Sequence, residues 1–211
     1  MTKLMTREDL AGALQSLVIK EPRFGALLEA YGQPSLRRVP ATLESLLIII
    51  TEQFLSLAAG AAIWTRIRAN LGEVSATSIL ACPQEKLVKL GLSRSKAKSF
   101  HVVAEAWLAG KINLEADLEE VRRQLLNLWG VGPWTVDVFL LGALGHGDAW
   151  PVGDVALQHA VHDFLGLQTR PTARQMETFG EPWRPYRAAA SRLLWAHYRA
   201  LKGKPQAPSQ E

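Results

Sequence analysis

Residues 125–154 read LLNLWGVGPWTVDVFLLGALGHGDAWPVGD. Gly130-Val131-Gly132 sits between two apolar segments of helical period, and Pro133 suits the first position of the second helix. Glycine permits positive φ and lets another backbone approach with no Cβ in the way. The amides that open a helix have no partner inside it, and the helix dipole favours an anion there. Two uses fit such a turn. It is either a plain corner between helices that happens to use two glycines, or a clamp on a sugar–phosphate backbone that reads no base. Asp154 then opens a further helix. An aspartate there commonly does no more than cap the helix. Held charged by the dipole, it can also offer one negative charge next to whatever that phosphate carries and do chemistry on it.

The rest of the chain reads as helical too. Thr6 caps a helix over 7–19, with Glu8 and Asp9 in its first turn. A short helix starts near Pro22 and stops at Gly32, and residues 33–41, with Pro34 and Pro40, connect it onward. Thr42 caps a long apolar helix running to Ala59 or through Ala69, with Gly72 as its stop. Shorter helices follow over 76–81, 84–90 and 94–109, separated by Pro83, Gly91 and Gly110. Asp117 begins the helix that enters the glycine turn, Pro133 the one that leaves it, and Asp154 another to Phe164. A short helix over 171–179 and a last one from Pro185 to Leu201 complete the chain. No segment alternates as a strand would, and no repeat of solenoid length occurs. The expectation is an all-α fold of about ten helices.

Composition sets outer limits. With 211 residues, 48% hydrophobic and 21% charged, a sizeable core is expected rather than disorder. Lys plus Arg is 24 against 20 acids, a net +4 with pI near 9.4, which suits a polyanionic partner without requiring one. Cys82 is the single cysteine, which excludes a disulfide framework, a thiolate zinc site and a four-cysteine iron–sulfur cluster. MTKLMTREDL has no apolar core of a signal peptide, and a cytoplasmic setting is expected. The apolar run Leu46 to Trp64 carries Thr51, Glu52, Gln53 and Ser56, so it reads as a buried helix and not a membrane span. Residues 203–211, GKPQAPSQE, read as a frayed tail.

Five segments together carry a family resemblance: Gln53 to Ser56, as Gln-x-x-Ser; Leu90-Gly91-Leu92-Ser93-Arg94 followed by Lys96, Ala97 and Lys98; the glycine turn; Asp148 to Asp154; and Trp183-Arg184-Pro185-Tyr186-Arg187. Over residues 42–202 the chain resembles the helix–hairpin–helix (HhH-GPD) DNA glycosylase superfamily, and most of all its AlkA-type 3-methyladenine DNA glycosylase II branch. The resemblance implies one glycosylase domain over 1–202, with two helical lobes, an active-site cleft between them, Asp154 facing it and the hairpin (about 125–135) at its mouth. It also implies that this chain has no room for the β-rich N-terminal domain of the longer enterobacterial type.

Residue by residue, the resemblance makes Asp154 catalytic and Asp148 a support for the loop. The family often places two adjacent acids before this helix, and here the first is Gly153. Bifunctional glycosylase/lyases carry a Schiff-base lysine where this chain has Trp134, so a monofunctional enzyme is implied. Trp134 and Trp195 fall at aromatic positions of the base pocket. Val138 and Val155 stand where the enterobacterial type is aromatic, which implies a wider pocket. Gly130, Val131, Gly132, Trp134 and Thr135 are implied as DNA contacts, as are Gln53 and Phe54 in the stretch that fills the gap left by a flipped base.

Phe54 is large enough for that wedge and equally reads as helix core. Arg94, Lys96 and Lys98 read either as phosphate contacts or as a solvated face. His159, His162 and Asp163 have helical spacing that suits a metal, or a solvated face. Trp107 and Trp129 read as core. The carbonyls of Leu126, Leu128 and Val131 are implied to hold a monovalent cation, Na+ or K+, with no other cofactor required.

The activity implied is hydrolysis of the N-glycosidic bond of alkylated purines (3-methyladenine, 7-methylguanine type) in base excision repair. The partner would be double-stranded DNA carrying damaged bases, met by a monomer away from any membrane, at the nucleoid in a bacterium. Two other readings stay open: a non-catalytic helix–hairpin–helix DNA-binding module, and a glycosylase for oxidised or mismatched bases. The missing lysine and cysteines weigh against the last.

Overall fold

The computed structural model describes residues 3–204. These residues form twelve α-helices and one 3₁₀ turn, and their one β pairing is an isolated bridge between Lys3 and His146. In chain order the helices are α1 (Arg7–Lys20), α2 (Arg23–Tyr31), α3 (Leu43–Glu52), α4 (Leu57–Leu71), α5 (Ala76–Ala81) and α6 (Gln84–Lys89). There follow α7 (Arg94–Leu108), α8 (Leu118–Leu126), α9 (Pro133–Gly142), α10 (Val155–Phe164), α11 (Ala173–Gly180), the 3₁₀ turn Glu181–Trp183 and α12 (Arg187–Leu201). No helix of the described residues is long and apolar enough to cross a membrane. The expected tail over 203–211 lies outside the described residues from 205 onward.

Helix starts follow the caps in the sequence. Thr6 caps α1 in a capping box with Asp9, and Ser93, Asp117, Asp154 and Thr172 cap α7, α8, α10 and α11 through their side chains. Two expectations need correction. The helix foreseen from Thr42 to Ala59 or Ala69 is two helices, broken at 53–56 by a turn in which Phe54 has φ +57° and Ser56 caps α4. The last helix begins at Arg187 and not at Pro185, because Tyr186 is its non-helical N-cap and its N–H turns back to Trp183 O at 2.8 Å.

The chain divides into two compact units. One comprises Met1–Arg38 and Leu140–Glu211, the other Val39–Phe139. In the first, α12 packs on α1, α2 and α10, and Ala188, Ala189, Leu193 and Leu194 of α12 and Leu10, Leu14 and Leu17 of α1 are buried. Phe24 stacks on Phe164 at 4.5 Å, and Trp183 meets Phe24 and Trp150 edge-on. The Trp150 indole N–H donates to Met176 O at 2.8 Å, so this large ring is buried with its polar atom satisfied. Each such fully buried side chain contributes about 1.5–3 kcal/mol. In the second unit α7 packs on α3, α5 and α6, with Leu46, Leu47, Ile50, Ile79, Leu87 and Phe100 fully enclosed.

Candidate functional site

Within the first unit, Asp154 is the half-buried N-cap of α10. Its Oδ1 accepts the Leu157 backbone N–H at 2.8 Å and the Trp195 indole N–H at 3.0 Å. Two donors on one oxygen fix the orientation of the carboxylate. The loop before it is closed by Asp154 N–H to Pro151 O and by the Gln158 amide to Val152 O, at 2.9 and 2.8 Å. Val155, next in the chain, is exposed, and Trp195 is half-buried. Asp148 takes a different part. Its carboxylate receives Arg187 through Nε and Nη2 at 2.8 and 2.9 Å, and Arg184 through Nη1. That paired arrangement anchors the 145–151 loop to the start of α12.

Within the second unit, the hairpin between α8 and α9 is tied to the turn between α3 and α4. Gln53 donates from Nε2 to Gly130 O at 3.1 Å and to Thr135 Oγ1 at 2.8 Å. Lys96 donates from Nζ to Thr51 O at 2.8 Å and Gln53 O at 2.6 Å, and burial lowers its pKa from the ordinary lysine value. These bonds satisfy the last carbonyls of α3 and hold the turn that presents Phe54. Phe54 is fully exposed, at 101% of its reference area, with Leu55 and Leu57 partly exposed beside it.

Gly130 has φ +83°, and a Cβ there would overlap Ser99 Oγ and lie 2.9 Å from Ser99 Cβ. Gly132 is different: its φ is ordinary and a Cβ would meet nothing within 4 Å. The ladder of α9 begins with Val136 N–H donating to Gly132 O. The amides before it form the electropositive end of the helix.

Several expectations change. Phe54 is not helix core. Lys96 is neither solvated nor turned to a phosphate, since its ammonium serves α3. Thr135 is buried with its hydroxyl on Gln53, and the Val131 side chain is buried with its N–H on Leu128 O, so neither side chain faces outward. Trp129 is not core: it is 46% exposed, with the exposed Lys98 ammonium 4.2 Å over its ring. Arg94 is exposed, Trp107, Trp134 and Val138 are half-buried, and Leu126 is partly exposed.

His159 is half-buried against Tyr198, its pKa lowered by burial and by Arg170, and Asp163 pairs with His197 at 2.8 Å. Among the described residues, no group of three or more His, Cys, Asp or Glu side chains is placed to hold a metal. Reading residues alone missed His197, which is buried between Asp163 and the Tyr31 hydroxyl. It also missed the Lys98–Trp129 pair, for which the neighbouring glycine turn was the available signal.

The comparisons decide the family. The model of the HhH-GPD superfamily of base excision DNA repair proteins matches residues 47–185. The chain belongs to the HhH-GPD superfamily. It is 28% identical over 198 residues to the alkylbase DNA glycosidase-like protein mag2 of Schizosaccharomyces pombe, covering 89% of this chain and 93% of that protein. It is 32% identical over 108 residues to the probable bifunctional transcriptional activator/DNA repair enzyme AlkA of Mycobacterium tuberculosis, which is 50% of this chain and 21% of that protein. The structure of the Schizosaccharomyces pombe 3-methyladenine DNA glycosylase Mag1 in complex with abasic DNA matches with TM-score 0.81 at 25% identity, covering 87% of this chain and 95% of that one. The all-α architecture is therefore the HhH-GPD fold, and the 53–56 turn, the hairpin and Asp154 all fall within the matched span.

Proposed function

We propose that this HhH-GPD chain is a monofunctional DNA N-glycosylase that hydrolyses the N-glycosidic bond of alkylated purines in duplex DNA. The observation that carries it is Asp154, a carboxylate fixed by both a helix N-terminus and the Trp195 indole. The near-full-length relative named for alkylated bases and the Mag1 match support the substrate class.

In the proposed reaction the bond from C1′ to the base breaks and the base leaves with its electron pair. Asp154 stabilises the positive charge left on the sugar, and water adds its hydroxyl to C1′. A cationic alkylated purine leaves neutral and the second water proton goes to solvent. Trp195 and Val155 are the proposed base contacts beside Asp154, and Trp134 and Val138 are proposed by their family positions.

The α9 amides and Gly132 are proposed to receive a phosphate, Arg94 and the Lys98–Trp129 pair the backbone around it, and Phe54 the stack of the flipped base. The carbonyls of Leu126, Leu128 and Val131 are hard neutral donors that suit a monovalent cation. Leu128 O already accepts one N–H, from Val131, which leaves a lone pair for an ion. Trp134 has no amine for a Schiff base, so no strand cleavage is proposed.

The deciding experiment is base release from alkylated duplex DNA by the wild-type chain and Asp154→Asn. Release should fall by about a hundredfold or more in the variant, with DNA affinity nearly unchanged and borohydride trapping no covalent complex. Full activity in Asp154→Asn, or a trapped complex, refutes the mechanism.

A further inference from the structure

Arg192 lies one turn before Trp195 on α12, with its guanidinium carbon 5.7 Å from the centre of that indole. It is 7% exposed. One N–H, from Nη2, reaches Arg37 O at 3.3 Å, and Nε has no hydrogen-bond partner among the described residues. The charges that act on it are those of Arg37 and Arg38, and Arg38 Nη1 is itself buried without a partner. Burial, reinforced by these two arginines, pulls the Arg192 pKa down to about 9, which still leaves it charged at neutral pH. A buried charge without a counter-ion is costly to keep.

Its position gives it a consequence. Trp195 donates to the same carboxylate that would serve C1′. A base is bonded directly to C1′, so the base of a nucleotide at Asp154 borders Trp195. A stacked base would lie about 3.5 Å from the indole, and hence roughly 9 Å or less from the guanidinium.

From this placement we infer that Arg192 is a specificity-determining residue that biases the site towards neutral damaged purines over cationic ones; this rests on the glycosylase reading above. For a cationic purine, the reacting nucleotide carries a full positive charge throughout, first on the base and then on the sugar. Arg192 opposes that charge at every stage, and its cation already engages the indole face that would otherwise attract a cationic base. For a neutral purine, the departing base gains the bonding pair and becomes transiently negative before water supplies its proton. The guanidinium favours that change. At an effective dielectric of ~20, two unit charges ~9 Å apart alter relative reactivity by about tenfold or more.

The test uses duplexes carrying a single 7-methylguanine, which is cationic, or a single hypoxanthine, which is neutral. The ratio of kcat/KM for the two is measured in wild type, Arg192→Met and Arg192→Lys. Replacing a poorly paired buried charge by an apolar chain of similar length is compatible with folding; should Arg192→Met not fold, Arg192→Gln carries the same comparison.

The inference expects the ratio to move about tenfold or more towards 7-methylguanine in the uncharged variant and to stay near wild type in Arg192→Lys. An unchanged ratio in the uncharged variant, or an equal shift in Arg192→Lys, overturns it while leaving the glycosylase reading intact. If wild type releases 3-methyladenine from alkylated duplex DNA but no hypoxanthine, the inference falls while the glycosylase reading stands; if it releases no base at all, the glycosylase reading falls and takes this inference with it.

Discussion

A methyl group added at Gly130 would collide with Ser99, and the backbone there is left-handed, whereas one added at Gly132 would meet nothing. The two glycines of the hairpin are therefore present for different reasons. Gly130→Ala should destabilise the protein by about 2–4 kcal/mol in urea unfolding. Gly132→Ala should unfold within about 0.5 kcal/mol of wild type and instead weaken binding to duplex DNA. Equal effects on stability would contradict this division.

Phe54 is a second case in which a residue obeys something other than folding. A large apolar side chain in the left-handed region and fully in solvent is costly on both counts. Phe54→Ala should keep or raise the melting temperature. It should lower base release from duplex by about tenfold or more while leaving release from a free modified nucleoside unchanged. At this scale the sequence was informative about Asp154, whose cap geometry is local. It placed Trp129 in the core and Thr135 among the DNA contacts, whereas the structure exposes the first side chain and buries the second, because whether a side chain faces in or out depends on which helix arrives beside it.

The break between α3 and α4 shows what elements add. Leu46 to Trp64 is apolar enough to read as continuous helix, yet Ser56 accepts the Ala59 N–H and starts a new one. Ser-x-x before an apolar run was the available signal, and hydrophobic periodicity outweighed it. Lys96, from α7, then closes the end of α3 through two carbonyls, and Gln53 joins the turn to the hairpin. The two segments are thus held in one arrangement before any ligand arrives. Lys96→Met should cost about 1–3 kcal/mol, since the carbonyls lose their donor. It should also raise the hydrogen-exchange rate of the Leu55 amide, which closes the turn on Glu52 O at 3.0 Å. A variant with normal exchange at Leu55 would show that Lys96 does not hold the turn. A lysine beside Ser93 and Arg94 reads as part of a basic face; only the packing of α7 on α3 turns it inward.

For the molecule as a whole, helical class and most helix limits were legible, because caps, prolines and glycines act within a few residues. Two lobes were implied by the resemblance, but which helices join which was not legible, since α1 and α2 show that a partner exists without saying it is α12, far along the chain. The discontinuity of the first unit has a consequence for biogenesis. On the ribosome, the nascent chain presents α1 and α2 long before α12 has been made, so the apolar surface that α12 covers waits open. The contiguous stretch Val39–Phe139 has all its helices in hand as soon as it clears the exit tunnel. Pulse-labelled refolding should accordingly protect amides of α3 and α7 ahead of those of α1 and α12, and the reverse order would refute it. A truncation removing α12 would strand the start of the protein as well as its end, and such fragments should be marked for proteolysis.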